Sequence, residues 1–318
     1  PELPAKVKYR YLAGFNRRNV SSHCCLKNKK NNQRNDVSRK ASLVFHPTNG
    51  VDSSLFRDHL NKLQTLKSTF TESRASNSMW PPPLHRMCVG LDYFGDELHY
   101  PHCSFVHRQF VEFLVQERTI RNGNFGFRIH AGEMYRRENN WMMNLHMGVV
   151  SASICSILNQ YEALSKAPPT KDWAPPFRIG HGLGFWHELR RNSNLPRYPD
   201  LVAKSNPAPL VADWCAAIPH ALAKLKRWRI PIEVMPSSHH CLQGTRLPDA
   251  KANTAGIFGP DLLSTLLTKG HCAIICTDNY GIWSCKVDNY SSVAAELVLA
   301  VRDSNHDTPL QEHDVRKF

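Results

Sequence analysis

Chemically reactive side chains stand at the ends of short apolar runs in this 318-residue chain. His130 ends one run and Glu133 follows it by three residues, while His181 and Asp278 end two later runs. Imidazole nitrogens and carboxylate oxygens can bind a divalent metal ion or transfer a proton. Several apolar runs that each end in such a group indicate an enzyme active site.

The elements that position these groups alternate between short apolar runs and longer amphipathic segments. The runs predict strands at residues 87–92, 125–130, 177–181, 230–236 and 272–278. The other segments predict helices at residues 54–66, 105–121, 141–164, 210–228, 262–269 and 291–301. Strands that alternate with helices are typical of βαβ units and a parallel sheet.

A (β/α)8 barrel accounts for the reactive residues better than an open α/β sheet does. Active sites of such barrels lie at the carboxyl ends of the strands, which is where these groups fall. An open doubly wound sheet usually carries a glycine-rich phosphate loop after its first strand, and the chain contains neither GxGxxG nor GxxxxGK[ST]. The sequence therefore predicts an α/β fold of the TIM-barrel type.

Five motifs follow one another in an order that resembles the adenosine and AMP deaminase family. They are GLDYFGDE (90–97), HAGE (130–133), GHG (180–182), EVMPSS (233–238) and TDN (277–279). The resemblance extends over about residues 86–290. It implies a barrel of the metal-dependent hydrolase kind that removes the 6-amino group of adenosine or AMP, with the inosine product and ammonia as products.

The resemblance also implies a role for each reactive residue. His130 and Asp278 would bind Zn²⁺, which lowers the pKa of a bound water from about 15.7 to about 7. Glu133 would protonate the purine ring as hydroxide attacks. His181 would orient that hydroxide and stabilise charge at the attacked carbon.

Two further positions are implied to bind the purine of a nucleoside or nucleotide substrate. Gly95 would offer its backbone N–H to a ring nitrogen, because a residue without a side chain allows close approach. Asn279 stands where the family has a second Asp. Its amide can donate to the purine imidazole without being protonated.

One part of the family pattern is absent, and it leaves two hypotheses open. The family's opening strand carries a His-x-His pair of metal ligands, and this chain contains no His-x-His. The first hypothesis is an active deaminase whose barrel is incomplete at its N-terminus here, with that strand lying upstream. The alternative is a catalytically inactive deaminase-like barrel that acts as a binding or regulatory protein.

Structural explanations of the same side chains stay open at this point. Glu133 could be a solvated glutamate in a first helical turn. His181 could be a packed histidine, and Asp278 could be a helix N-cap. Glu233, on a predicted strand, is expected to form an internal ion pair.

The net charge of +13 is concentrated near the N-terminus. Residues 1–40 contain eleven Lys and Arg against Glu2 and Asp36, a net charge of +9, which leaves +4 for the rest of the chain. Such a segment can contact nucleic-acid phosphates, but a solvated charged segment is the commoner case. We predict a basic, partly irregular segment at residues 1–80 and a barrel region at residues 81–318, and we do not expect a nucleic-acid partner.

Composition argues against a membrane or secreted protein. No run of about 18 apolar residues occurs. The ten cysteines include no C-x-x-C pair, and several lie in apolar surroundings, where a free thiol acts as a small hydrophobic group. These features favour a reduced, cytoplasmic setting.

Overall fold

One sheet carries the apolar runs of the sequence. The computed structural model describes residues 11–16, 54–76, 83–95, 97, 104–133, 140–165, 176–190, 209–238, 262–278 and 296–297. Its strands there are β1 (Tyr11–Asn16), β2 (Cys88–Phe94), β3 (Gly126–Ala131), β4 (Phe177–His181), β5 (Ile232–Val234) and β6 (Ala273–Ile275). All neighbouring strands are parallel, and their order in space is their order in the chain.

Amphipathic helices precede or connect these strands. Those with both ends described are α1 (Ser54–Ala75), α2 (Leu84–Met87), α3 (Ser104–Ile120), α4 (Asn140–Ser165), α5 (Trp186–Arg190), α6 (Pro209–Arg227) and α7 (Leu262–Thr268). Crossovers between parallel neighbours are right-handed in nearly all known cases. Helices of successive βαβ units therefore cover one face of the sheet, and α4 accordingly contacts both α3 and α6.

The strand order contains no reversal. A doubly wound sheet has a switch point, at which the order reverses. The observed sequential order is instead compatible with a TIM-like barrel. Within the described ranges, no hydrogen-bonded ladder joins β6 to β1.

Predicted and observed strands agree closely, with one addition. β4 occupies the predicted residues 177–181, whereas β5 and β6 are three-residue strands inside longer predicted runs. β1 lies in the segment 1–80, where we predict no strand, and it pairs with β2 over its whole length. The sheet therefore begins within that segment. The pattern does not reveal β1 because Gly14 interrupts a short apolar run beside a long charged stretch.

Helix α1 continues beyond the predicted residues 54–66 and ends at Ala75. Its added turns bury Phe70 completely. The Phe70 ring centroid lies 5.9 Å from that of Phe113 and 6.3 Å from that of Phe125. An aromatic cluster that exists only after folding thus extends the helix.

The apolar core lies between the sheet and its helices. The ring centroid of Phe110 on α3 lies 5.6 Å from Tyr93 of β2, 5.8 Å from Phe127 of β3 and 4.8 Å from Phe15 of β1. Aromatic pairs at such separations contribute about 0.5–1.5 kcal/mol each beyond their buried area. These contacts fix α3 across three strands.

The opposite face of the sheet carries charge, because successive strand residues point to opposite faces. Asp92, Arg128 and Arg178 are register partners on β2, β3 and β4. Glu233 of β5 is buried and accepts from Arg128 Nε at 2.7 Å and from Arg178 Nη1 at 3.2 Å. The predicted internal ion pair of Glu233 is confirmed.

A second buried carboxylate joins α1, α3 and β2. The side chain of Glu117 is 2% exposed and forms ion pairs with Arg74 and, at 2.8 Å, with Arg121. Arg121 also donates to the carbonyl oxygen of Cys88 at 2.5 Å and lies 4.7 Å from the centroid of the Phe70 ring. Two arginines therefore compensate the desolvation of this carboxylate.

None of the helices in the described ranges has the length and apolar character needed to cross a membrane. Cys88, Cys155, Cys272 and Cys276 are free thiols. Burial, reinforced by the charge of Glu233, raises the pKa of Cys276 to about 11. That thiol is therefore protonated near neutral pH and is a poor nucleophile.

Replacing Glu117 by Gln is expected to lower the free energy of unfolding by about 3 kcal/mol or more, because two arginines lose a buried counter-charge. Urea unfolding followed by circular dichroism measures the change. Glu112→Gln is the matched control on the same helix: Glu112 is 36% exposed and pairs with Arg108, so a change within about 0.5 kcal/mol is expected. Equal effects of the two substitutions would contradict the prediction.

His271 gives the fold a specific acid sensitivity. Burial, and then the charge of Lys226, lower the pKa of His271 from 6.5 to about 4. The folded state thus favours the neutral ring, so this contribution to stability is complete above pH 6.5 and is lost as the pH falls toward 4. Since the ring is partly exposed, we expect His271→Gln to reduce the stability loss between pH 7 and pH 4.5 by roughly 1 kcal/mol. Identical pH profiles of unfolding for the two proteins would contradict this.

Candidate functional site

The HAGE turn at the end of β3 is held by a buried carboxylate. Glu97 is 2% exposed and accepts from the backbone N–H of Gly132 at 2.7 Å and of Glu133 at 3.4 Å. His130, the first residue of HAGE, lies on the same face of β3 as Arg128, two residues earlier. The carboxylate that follows β2 therefore fixes the backbone from which the Glu133 side chain extends.

The GHG turn at the end of β4 has a strained backbone. His181 has φ of 65° and Gly182 has φ of 63°. This left-handed region favours glycine and costs a residue with a side chain roughly 1–2 kcal/mol. Such conformations persist where the surroundings enforce them, often at functional sites. The His181 side chain is fully buried, which is consistent with enforcement by packing.

The two turns bring three reactive side chains together, and we call His130, Glu133 and His181 the His–Glu–His cluster. Glu133 Oε2 lies 3.4 Å from His130 Nδ1 and 3.7 Å from His181 Nε2. One ligand-capable atom from each residue lies within 4.8 Å of the other two. Both histidines are buried, and the Glu133 side chain is 19% exposed. Three of the predicted site residues therefore converge at the carboxyl ends of two adjacent strands.

Two of the three donor separations in this cluster are close to those of a zinc site. Tetrahedral ligands bound at 2.0–2.2 Å lie about 3.3 Å from one another. The distances from Glu133 Oε2 to the two ring nitrogens, 3.4 and 3.7 Å, are close to that value. Two imidazoles and one carboxylate also form the protein ligand set of known catalytic zinc centres, which keep a fourth position for water.

Asp278 does not belong to this cluster in the described part of the chain. It follows β6, where its Oδ2 accepts from Ser238 Oγ at 2.6 Å. β6 is separated from β4 by β5, and neighbouring strands are about 4.8 Å apart. A metal shared by Asp278 and His130 would need a strongly curved sheet, so the metal role of Asp278 stays a prediction.

The two predicted purine-binding residues have different outcomes. Gly95 follows β2 with φ of 91°, a conformation that glycine adopts at little cost. This positive φ explains why a glycine stands at position 95. The contact of Gly95 with a substrate stays a prediction. Asn279 lies outside the described residues.

Two residues beside His130 receive no role from the sequence pattern. Arg128 Nη1 lies 2.6 Å from His130 Nε2 and donates to Asp92 Oδ2 at 3.1 Å. Asp92 Oδ1 lies 3.3 Å from the same ring nitrogen. The i, i+2 spacing of Arg128 and His130 in a strand is a signal that would have placed both on one face. The contact with Asp92 depends on strand register, which the sequence does not state.

Asp92 and His130 each favour the charged form of the other. Burial opposes ionisation of Asp92, but the hydrogen bond and charge of His130, together with Arg128, lower the pKa of Asp92. Burial likewise opposes a charge on His130, whereas hydrogen bonds with Asp92 and Glu133 raise the pKa of His130 overall. The Arg128 charge acts against protonation of His130. An ionised Asp92 is therefore part of the folded site.

Comparison with known proteins leaves the site to be interpreted from its own geometry. No protein-family model matches the chain, and no curated protein or solved structure matches it either. The donor set, the burial of its members and their place at the strand ends are the observations on which a function can be argued.

The two turns of the cluster need glycine for a steric reason that can be tested. A Cβ on Gly132, whose φ is 79°, would lie 2.4 Å from the backbone nitrogen of Gly184. Gly123 has a similar φ of 85°, but its nearest neighbour would be Arg118 Nη2 at 3.7 Å. We expect Gly132→Ala to destabilise the protein by about 1–3 kcal/mol more than Gly123→Ala, because only the former forces the two backbones apart. Denaturant unfolding of both variants measures the difference, and equal losses would contradict it.

Proposed function

We propose that the protein is a zinc-dependent hydrolytic deaminase of a 6-aminopurine, adenosine or AMP. The observation that carries the proposal is the convergence of His130, Glu133 and His181 within 4.8 Å at adjacent strand ends. Support also comes from the motif order that resembles adenosine and AMP deaminases. The proposed setting is cytoplasmic, with a purine nucleoside or nucleotide as substrate.

In this proposal each residue of the cluster has a defined role. His130, Glu133 and His181 would hold the ion, which when bound lowers the pKa of a water to about 7. Glu133 uses Oε2 toward both rings and keeps Oε1 to take a proton from the water and pass it to the purine ring. His181 would bind through the Nε2 that lies 3.7 Å from Glu133 Oε2, and this ligand role replaces the charge-stabilising role that the resemblance implies for it. Glu97 keeps the Glu133 backbone in place.

A closed barrel is the finer form of the fold that we propose. Six strands in sequential parallel order are described, and an eight-stranded barrel needs two more between β6 and β1. Closure would bring further strand ends to the same mouth. Asp278 after β6 and Gly95 after β2 would then face one cavity from two sides, as the resemblance implies.

The alternative is an inactive barrel that binds a purine or a partner without chemistry. Two observations favour it: Asp278 is held by Ser238 outside the cluster, and Arg128 already contacts a ring nitrogen of His130. This alternative expects no turnover of either substrate, whatever metal is supplied.

Replacing Glu133 by Gln is expected to lower kcat for adenosine or AMP by at least about 10²-fold, since an amide cannot take or give the proton. Loss of absorbance as the 6-aminopurine is converted to its inosine product measures the rate. Bound zinc is determined on the same samples by mass spectrometry, because Glu133 is also a member of the donor set.

Glu112→Gln is the matched control, because it makes the same chemical change on the exposed side of α3. It should retain activity within about twofold, as for other surface substitutions of small effect. Zinc-loaded wild-type protein that turns over neither substrate would contradict the deaminase. So would a Glu133→Gln variant with unchanged kcat.

A further inference from the structure

The Arg128 guanidinium occupies one side of the His130 ring. Its Nε and Nη2 contact Glu233 Oε2 at 2.7 and 2.6 Å, and its Nη1 donates to Asp92 Oδ2 at 3.1 Å. These contacts clamp the group between two carboxylates. Nη1 also lies 2.6 Å from His130 Nε2, and its second hydrogen is available for that contact. Because a guanidinium has only donors, Nε2 must accept in this contact.

Acceptance at Nε2 fixes the proton of the neutral ring on the other nitrogen. A neutral imidazole has one N–H and one lone pair. With the lone pair used at Nε2, Nδ1 carries the hydrogen and points it at Glu133 Oε2, 3.4 Å away. Nδ1 is the nitrogen that faces the His–Glu–His cluster. A metal ion at the cluster needs a lone pair on that nitrogen.

Asp92 can stabilise the other neutral form of the His130 ring, in which Nε2 carries the hydrogen. Its Oδ1 is buried and lies 3.3 Å from His130 Nε2, on the side of the ring nitrogen that Arg128 leaves open. If Arg128 moves off the ring, Nε2–H can donate to this oxygen and Nδ1 is free to bind a metal. A carboxylate on the far nitrogen of a ligating histidine is the common outer-shell arrangement at metal sites.

We propose that Arg128 is an internal cation that competes with a metal ion for His130. While its guanidinium donates to Nε2, His130 presents an N–H to the cluster, and metal binding requires this contact to break. Arg128 therefore lowers the metal affinity of the site, and Asp92 takes over the ring when the metal binds. The inference rests on the proposed metal centre.

The test uses the full chain, stripped of metal, and Zn²⁺ alone as the probe. Competition with a chromophoric chelator gives the dissociation constants of wild-type protein, Arg128→Met and Arg178→Met. Arg178 is the matched control, because it holds the other oxygen of the same Glu233 from β4 and carries the same charge. We expect Arg128→Met to bind zinc at least about tenfold more tightly than wild type and Arg178→Met to stay within about twofold.

Two further variants show where the zinc is bound. The gain of Arg128→Met should disappear in the double variant Arg128→Met/His130→Gln. If Arg128→Met binds zinc with the affinity of wild type, or if Arg178→Met gains as much zinc affinity as Arg128→Met, the proposed role of Arg128 is wrong. In that case, loss of zinc binding in the single variant His130→Gln would still support the metal centre of the proposed function. Zinc binding that His130→Gln does not change overturns both.

A measurement on the wild-type protein tests the inference even if Arg128→Met does not fold. Nitrogen-15 NMR distinguishes the two neutral ring forms of a histidine, and His130 is assigned by the signals missing from His130→Gln. The metal-free protein should show His130 with the hydrogen on Nδ1. A ring that carries a hydrogen on Nε2, whether neutral or doubly protonated, would overturn the proposal.

Discussion

The largely buried charge network on the non-helical face of the sheet is the interaction on which the candidate site depends. Arg128 lies at its centre, between Glu233 of β5 and Asp92 of β2. Removing charges from water costs several kcal/mol for each ion, so the three side chains can be buried only together and in fixed geometry. That requirement sets the register of β2, β3 and β5 at the level just below His130. The position of the His130 ring follows from it.

Close backbone packing then determines how the strand ends meet. The HAGE turn approaches the segment just after the GHG turn so closely that a Cβ on Gly132 would lie 2.4 Å from the Gly184 nitrogen. His181, three residues before Gly184, has a left-handed backbone conformation with φ of 65°. Fold and site are therefore coupled: the glycines permit the contact, and the contact places Glu133 between two buried imidazoles. A chain without these glycines could form the same sheet but would keep the two turns apart.

The site that results is built from neighbouring strands, whereas the sequence motifs that suggested it extend to the last strand. His130, Glu133 and His181 meet because β3 and β4 are adjacent. Asp278 is placed by β6 and hydrogen-bonds Ser238, so its arrival at the cluster depends on sheet curvature rather than on strand pairing. This geometry makes a cluster of two imidazoles and a carboxylate the centre of the proposed chemistry. It leaves Asp278 as a residue that closure of the barrel would have to bring in.

The sequence by itself determined the elements and the strand ends at which reactive residues stand. The apolar runs are long enough, and bounded clearly enough, to give β4 at residues 177–181 and helices α3, α4, α6 and α7 to within two residues, because local periodicity reflects which face is buried. It also indicated an ion pair for Glu233. Only the tertiary structure decided that β1 opens the sheet, that Arg128 and Asp92 surround His130, and that Asp278 pairs with Ser238. Each of these depends on register and turn geometry between residues far apart in the chain, which no local pattern encodes.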